Sequence, residues 1–239
     1  MSYIPSKVVS NEQVYGNYYI LVVKTLRKLR KTPLPPQFSM VWVPGVDLIP
    51  LSYAYYENGL VKFFYRVVGE GTKSLSLRKT GDIIAISEPI GRGFIEVKKP
   101  VFLVGGSGIA PVLYYTKYLE SFDGIWGVKH GELAEALITR FPKLKVLAVA
   151  SEDCTFGFCG KLTDNLDKLN LNNNRIVLVS GPTEMVKKVC SWLKSRNIKS
   201  GLVIAEALVK CGLGVCGSCV IGGILLCRDG PVVRCEAFD

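Results

Sequence analysis

The stretch from Cys211 to Cys219 reads Cys-Gly-Leu-Gly-Val-Cys-Gly-Ser-Cys, and Cys227 follows a short way downstream. No other feature limits so strongly what this chain can fold into. Three cysteines spaced Cys-x4-Cys-x2-Cys, with a later fourth, form the plant-type pattern for a [2Fe–2S] cluster. Four thiolates must then converge on two irons, and the loop between them must turn tightly and aim backbone N–H groups at sulfur. Gly212, Gly214 and Gly217 supply the small, conformationally free positions such a loop needs. A structural zinc site would more naturally use two Cys-x2-Cys pairs or cysteines with histidines. Only one Cys-x2-Cys is present, and the single histidine, His130, is remote in sequence. Cys211, Cys216, Cys219 and Cys227 are therefore the expected ligands, with Cys235 as the competitor for the fourth position.

A segment this short cannot fold alone, so the metal centre is expected to supply much of its order. The rest of the 239 residues must provide the body that carries it. Hydrophobic residues make up 49% and charged residues 21%, enough for a packed core. Met1 to Ser10 has no signal-type apolar stretch, and no run approaches the length needed to span a bilayer. A soluble, cytoplasmic protein is the expectation. The net charge of +10 could serve nucleic acid, but the cations are scattered apart from Lys24 to Lys31. That tract reads as a solvated strand end and loop, so neither nucleic acid nor membrane is expected as a partner.

Along the chain, the N-terminal part reads as β structure. Tyr18 to Val23, Val41 to Val43, Val61 to Val68 and Asp82 to Ser87 are short strand-like runs with turn signals between them, which suggests a small antiparallel barrel. From Pro100 the pattern changes. Val101 to Val104 is a continuous apolar run, as in a parallel strand covered on both faces. A helix from Pro111 through Glu120 follows. Further strands fit Ile125 to Val128, Lys145 to Ala150, Ile176 to Ser180 and Leu202 to Ala205. Helices fit Glu132 to Arg140 and Thr183 to Ser195, and Asn172 to Asn174 reads as a loop. Strand–helix alternation predicts a doubly wound α/β domain. The expected architecture is thus a multi-domain β plus α/β protein: a barrel over 1–97, an α/β nucleotide-binding domain over 98–200, and a small [2Fe–2S] loop domain over 201–239.

Several local motifs fit anionic ligands. Gly105, Gly106 and Gly108 follow a strand and form a partial dinucleotide fingerprint, with Pro111 at its last position. Gly181 and Pro182 end a later strand on the same edge of the sheet, where ligands of open α/β sheets bind. Gly69 to Thr72 could present N–H groups and the Thr72 hydroxyl to an anion, although an ordinary turn explains that segment alone. Cys154 and Cys159 could pair or bind metal but read first as two free buried thiols, Cys190 as a residue on the inner face of a helix, and His130 as a loop residue. No convincing Ser/His/Asp or paired-carboxylate constellation is present, so no catalytic side chain is assigned. A barrel, a dinucleotide-type domain and a [2Fe–2S] loop form a series of redox stations. A nicotinamide carries two electrons as hydride and a cluster carries one, and a flavin can mediate between them.

At this point the chain resembles the ferredoxin-reductase-type flavoproteins, and more closely the electron-transfer subunits of class 1B dihydroorotate dehydrogenases. The resemblance rests on Phe64 to Thr72, Gly91 to Phe94, Val104 to Pro111, Ser151 to Asp153 with Gly157 and Gly160, Gly181 to Met185, and Glu206 to Cys219 with Cys227 to Pro231. It implies FAD in the barrel, contacted by Ile49, Pro50, Leu51, Ser52, Phe64, Tyr65, Arg66, Gly71 and Thr72. It implies NAD at the α/β domain and a cluster facing a partner: an FMN-containing catalytic subunit, expected in a heterotetramer, that oxidises dihydroorotate in pyrimidine biosynthesis. Electrons would then run from FMN through the cluster and FAD to NAD+.

Three departures from that pattern stand out. Ile49 occupies the place of an Arg near the flavin phosphates, Ser180 replaces the Cys of a Cys-Gly-Pro motif, and the gap from Cys219 to Cys227 is short. The apolar Val220 to Leu226 segment is a candidate partner contact. The rival reading keeps the cofactors and changes the partner, as in ferredoxin:NADP oxidoreductases or sulfhydrogenases. A colourless zinc-containing nucleic-acid-binding module is the non-enzymatic alternative.

Overall fold

The computed structural model describes residues 2–94, 96–169, 171 and 174–238. Asn172 and Asn173 of the expected loop lie outside these residues. The first six strands are β1 (Tyr3–Tyr15), β2 (Tyr18–Thr25), β3 (Phe38–Val43), β4 (Asp47–Glu57), β5 (Leu60–Arg66) and β6 (Ile83–Ser87). They close into an antiparallel barrel in the order β1-β2-β5-β4-β3-β6. Two of these strands were not legible as strands. In the first half of β1 burial alternates, with Ile4, Ser6 and Val8 inward and Tyr3, Pro5, Lys7 and Val9 outward, so apolar and polar residues fall on both faces and no clean apolar period shows. In β4, Pro50 interrupts the run, yet it pairs opposite Met40. Pro50, Leu51 and Ser52 therefore lie inside β4 rather than ahead of a strand. Gly69 caps helix α1 (Glu70–Ser76), so the segment expected as a turn opens a short helix.

The second half of the chain builds a seven-stranded sheet in the order β10-β9-β8-β7-β11-β12-β15. Its members are β7 (Val101–Gly105), β8 (Asp123–Val128), β9 (Ala148–Ser151), β10 (Phe158–Cys159), β11 (Val177–Ser180), β12 (Gly201–Ile204) and β15 (Val232–Arg234). All neighbours are parallel except β12 and β15. Every residue of β7 is buried, as its continuous apolar sequence requires for a central strand. Helices α2 (Ala110–Tyr115), α3 (Gly131–Arg140) and α4 (Thr183–Ser195) make the crossovers.

Helix α2 is shorter than expected. Thr116 Oγ1 donates back to the Leu113 carbonyl at 2.7 Å, and the next N–H groups bond three residues back, from Lys117 to Tyr114 and from Tyr118 to Tyr115. That competition for carbonyls ends the regular helix. Similarly, Lys145 and Val146 belong to a 3-10 turn over Pro142–Val146, and the strand starts at Ala148.

The chain winds outward from β7 to β10 and returns on the other side of β7 as β11. The order reverses between β7 and β11, the position where open α/β sheets form their ligand crevice. The cysteine segment leaves the sheet after β12 and returns as β15. Between them it forms one two-residue hairpin, β13 (Val220–Ile221) with β14 (Ile224–Leu225). It packs into the same apolar cluster as one face of the sheet: Val209, Cys219, Leu226 and Cys227 join Leu103, Val179 and Val203, with Phe38 and Ile90 from the barrel side. Among the described residues no helix is long and apolar enough to cross a membrane.

Candidate functional site

One cavity of about 510 Å3 lies where barrel, sheet edge and cysteine segment meet. The barrel contributes Ile49, Pro50, Leu51 and Ser52 from β4, Phe64, Tyr65 and Arg66 from β5, and Thr72 from α1. Those are the residues expected to contact a flavin, apart from Gly71, which is not in the wall. A Cβ on Gly71 would lie 2.5 Å from Asp47 Oδ2, so this glycine is required by packing against Asp47. The Thr72 hydroxyl accepts from the N–H groups of Val68 and Gly69 at 2.9 and 3.2 Å, so its oxygen braces the turn. Tyr65 turns its hydroxyl onto Asn11 Oδ1 at 3.1 Å, and Phe64 stacks on Tyr18. Ile49 is buried in the wall and leaves the β4 side without a cation. Among the described residues, the one cation in the lining is Arg66.

The sheet edge adds Ser107, Ala110, Pro111 and Ser180. None of Gly105, Gly106, Gly108, Gly181 and Pro182 lines the cavity; they build the crevice behind it. A Cβ on Gly108 would meet the Gly181 nitrogen and the Ser180 carbonyl at 2.7 Å, and one on Gly105 would meet Met185 Sδ at 2.5 Å. The glycines thus let the β7 and β11 loops touch backbone to backbone. Ser180 is buried, and its Oγ has no hydrogen-bond partner among the described residues. A buried hydroxyl without a partner is costly, and this one belongs to a residue of the cavity wall.

The third wall comes from the C-terminal segment: Ile204 to Ala207, Val209, Leu226 and Pro231. None of these was expected as a cofactor contact, although Glu206, Ala207, Val209 and Pro231 lie in the stretches that carried the resemblance. Glu206 is an exposed residue of the cavity wall. Desolvation there pushes its carboxyl above the usual range, partly opposed by Arg66.

Beside this wall stand the four free cysteines: Cys211, Cys216, Cys219 and Cys227. Gly212, Gly214 and Gly217 all have φ between +63° and +76°, a region L side chains rarely adopt. The turns they make aim the Leu213 N–H at Cys211 Sγ (3.4 Å) and the Gly214 N–H at Cys227 Sγ (3.1 Å). Each thiol has a nearest partner among the four, Cys216 for Cys211 and Cys219 for Cys227. Backbone N–H groups, that of Leu213 first, lower the Cys211 thiol to about 6, with Cys216 as its side-chain neighbour. Burial, then Cys219, raises the Cys227 thiol to about 11. Among the described residues no three His, Cys, Asp or Glu side chains surround one ion position. Two thiol pairs with convergent N–H donors fit a two-iron cluster better than a single zinc ion.

The remaining cysteines lie elsewhere. Cys235 is bonded to Cys190 of α4 and so stands outside the group of four. Cys154 and Cys159 are exposed and bonded to each other, which corrects the expectation of two free buried thiols: β10 sits at the open edge of the sheet. His130 precedes α3, with Nδ1 3.3 Å from Asp153 Oδ2. Although burial opposes it, hydrogen bonds from the Thr155 N–H and hydroxyl and from the Gly131 N–H hold the Asp153 carboxyl at about 2. Lys24 to Lys31 ends β2 and continues as an exposed loop in which only Thr25 and Leu29 are buried.

Residues 206–239 match the family model described as the iron-sulfur cluster binding domain of dihydroorotate dehydrogenase B. An Archaeoglobus fulgidus protein named probable dihydroorotate dehydrogenase B (NAD(+)), electron transfer subunit, is 35% identical over 200 residues, covering 83% of this chain and 84% of the relative. A Pyrococcus horikoshii protein of the same name is 38% identical over 205 residues, covering 84% and 79%. Among solved structures, one of an NADH-dependent reduced ferredoxin-NADP oxidoreductase superposes with a TM-score of 0.83 at 26% identity, covering 98% of this chain and 89% of the other. A Neisseria gonorrhoeae ferredoxin NADP+ reductase with bound FAD and NADP gives 0.69 at 18% identity, covering 82% and 92%, a likeness of fold.

Proposed function

Since this chain belongs to the family of dihydroorotate dehydrogenase B electron transfer subunits, we propose that it relays electrons from a catalytic partner subunit to NAD+ through one site built by all three parts of the chain. The observation that carries this reading is the shared cavity: β4 and β5, the β7–β11 switch point and the cysteine segment wall a single space. When bound there, a flavin exchanges two electrons with a nicotinamide and single electrons with a [2Fe–2S] cluster.

The chain's residues divide the work. Ile49 to Ser52, Phe64 to Arg66 and Thr72 hold the flavin side, with Arg66 as the cation for its phosphates in place of one at Ile49. Gly71 keeps the α1 turn close to β4. Gly105, Gly106 and Gly108 with Gly181 and Pro182 shape the dinucleotide crevice, and Ser180 offers its free hydroxyl there. Cys211 and Cys216 hold one iron, Cys219 and Cys227 the other. The functional segments run over 1–97, 98–200 and 201–239, the last of them sharing β12 and β15 with the central sheet.

The partner is an FMN-containing subunit in a heterotetramer. Leu208, Leu213 and Val215 are 67, 55 and 81% exposed around the outer cysteines, an apolar group suited to such contact. Of the Val220 to Leu226 segment, Val220 is exposed and Leu226 is buried, so only its hairpin can join that surface.

The test is anaerobic purification with a visible spectrum and quantified iron, sulfide and flavin. Two irons, two sulfides and one FAD per chain are expected. Zinc, or no metal and no flavin, overturns the reading. A second reading, a relay in a reduced ferredoxin–NADP oxidoreductase complex, is favoured by the structural likeness that covers nearly the whole chain. Co-purification with a dihydroorotate-oxidising FMN protein, or with another large flavoprotein, separates the two.

A further inference from the structure

The four cysteines are not equivalent in their surroundings. Cys216 is exposed and Cys211 half-buried, whereas Cys219 and Cys227 are buried. Leu226, the residue preceding Cys227, is 1% exposed and lines the cavity. Leu226 therefore stands next to Cys227 in the chain and in the wall of the space that the reading above assigns to the flavin. The same residue ties that pair together, since the Leu226 N–H donates to the Cys219 carbonyl at 3.1 Å.

The barrel holds this junction from the opposite side. The Gly91 N–H donates to the Cys227 carbonyl at 3.1 Å, and the Arg92 N–H donates to the Gly230 carbonyl. Gly91 has φ +80°, and a Cβ there would lie 2.6 Å from the Gly230 oxygen and 3.0 Å from Pro231 Cδ. A Cβ on Gly230 would in turn lie 2.9 Å from Leu226 Cα. Three layers of backbone and one leucine side chain are thus in contact without a gap. Arg92 and Arg228 both pair with Asp229 at the rim of this seam.

We propose that Leu226 is a positioning residue for electron transfer: its packed side chain, seated by Gly91, sets the gap between the Cys219–Cys227 end of the cluster and the flavin. The inference rests on the relay reading above. It gives the cluster a direction, with the Cys211–Cys216 end toward the partner surface and the Cys219–Cys227 end toward the cavity. The transfer rate falls steeply as the gap widens or loses packing density, because each ångström of unfilled space removes contacts that couple the two groups.

The electrons balance in a reaction with NADH. One hydride brings two electrons and one proton to the flavin. One electron passes to the cluster, and the second leaves with the proton when an added one-electron acceptor such as ferricyanide removes it.

The experiment uses the intact chain with both cofactors, mixed anaerobically with NADH in a stopped-flow instrument, in the wild type and in Leu226→Ala, Leu226→Met and Gly91→Ala. Flavin and cluster bleaching are followed separately, and the cluster's EPR g-values and both reduction potentials are measured. Leu226→Ala and Gly91→Ala should slow cluster reduction by about tenfold, the scale of a sub-ångström misplacement. The rate of cluster bleaching relative to flavin bleaching should fall while the cluster keeps its wild-type g-values, and Leu226→Met, which refills the space, should restore that ratio. Unchanged cluster reduction in Leu226→Ala overturns the inference, and so does slowing that merely follows flavin reduction or a shifted potential. If Leu226→Ala loses a cofactor, Gly91→Ala decides alone. A wild-type chain that binds no flavin or no cluster overturns the relay reading, and the inference falls with it. A normal relay with insensitive Leu226 and Gly91 variants overturns the inference only.

Discussion

Replacing Ser180 by Ala should stabilise the ligand-free protein and weaken its ligand binding. Ser180 ends β11, pairs with Val104 across the sheet, and is 1% exposed. Its Oγ has given up water without gaining a protein partner. An unsatisfied buried polar group costs about 1–3 kcal/mol. The substitution deletes one oxygen and keeps the Cβ, so the packing lost is small against that cost. A net gain of about 1–2 kcal/mol follows for the flavin-stripped chain, or an increase in Tm of roughly 2–8 °C for a chain of this size. Where a ligand in the adjoining cavity bonds this hydroxyl, that hydrogen bond contributes about 0.5–1.5 kcal/mol. The alanine variant should then bind that ligand about two- to tenfold more weakly. Thermal unfolding of the stripped protein gives the first quantity. Titration with FAD, and then of the loaded protein with NAD+, gives the second and identifies which ligand satisfies Ser180. A lower Tm in the stripped Ser180→Ala variant would refute the reasoning, because it would mean the hydroxyl is already satisfied without ligand.

Three further outcomes can be checked. The Cys190–Cys235 bond closes a 45-residue loop that contains all four cluster cysteines. Loop-closure entropy for that length corresponds to about 4 kcal/mol, so Cys190→Ala/Cys235→Ala should unfold at markedly lower urea concentration, and a thiol count equal to that of the fully reduced chain would remove the premise. Asp153 has its carboxyl held at about 2 against an ordinary 3.8. A lowered folded-state value adds stability above the ordinary value, which is lost as pH falls through about 2. Asp153→Asn should therefore cost stability at pH 7, and its difference from wild type should vanish in strong acid, as read from urea midpoints along a pH series. Arg66→Gln removes the one charge that opposes the upward push on Glu206. It should raise the Glu206 carboxyl further and weaken FAD binding, measured by carboxyl NMR titration and by flavin fluorescence.

Much of the site was legible because its chemistry is local. Cys-x4-Cys-x2-Cys and its three glycines fix a loop by short-range geometry, and the structure gives all three glycines positive φ. The glycines after β7 announce a close backbone approach, and they make one, against the β11 loop. Strand β7 was visible because burial on both faces demands a continuous apolar run, and α4 because its apolar stripe has helical spacing. Strands β1 and β4 were hidden: one mixes apolar and polar residues on both faces, and the other contains a proline that its place in the barrel tolerates. Helix α2 stops early through a side-chain hydrogen bond from Thr116, a competition that residue type alone does not settle.

The sequence by itself determined the two structural classes and the tight turns around the four free cysteines, since each depends on spacing within a few residues. Tertiary structure alone decided how they meet. Only the fold puts β12 beside β15, so that the cysteine segment leaves and rejoins the central sheet, and only packing brings Leu226, next to Cys227 in the chain, into the cavity wall. It also removed Cys235 from the cluster by bonding it to Cys190, and exposed Cys154 and Cys159 at the sheet edge. Those outcomes depend on groups dozens of residues apart, whose proximity is set by the closing of the barrel and the winding of the sheet, and no local pattern carries that information.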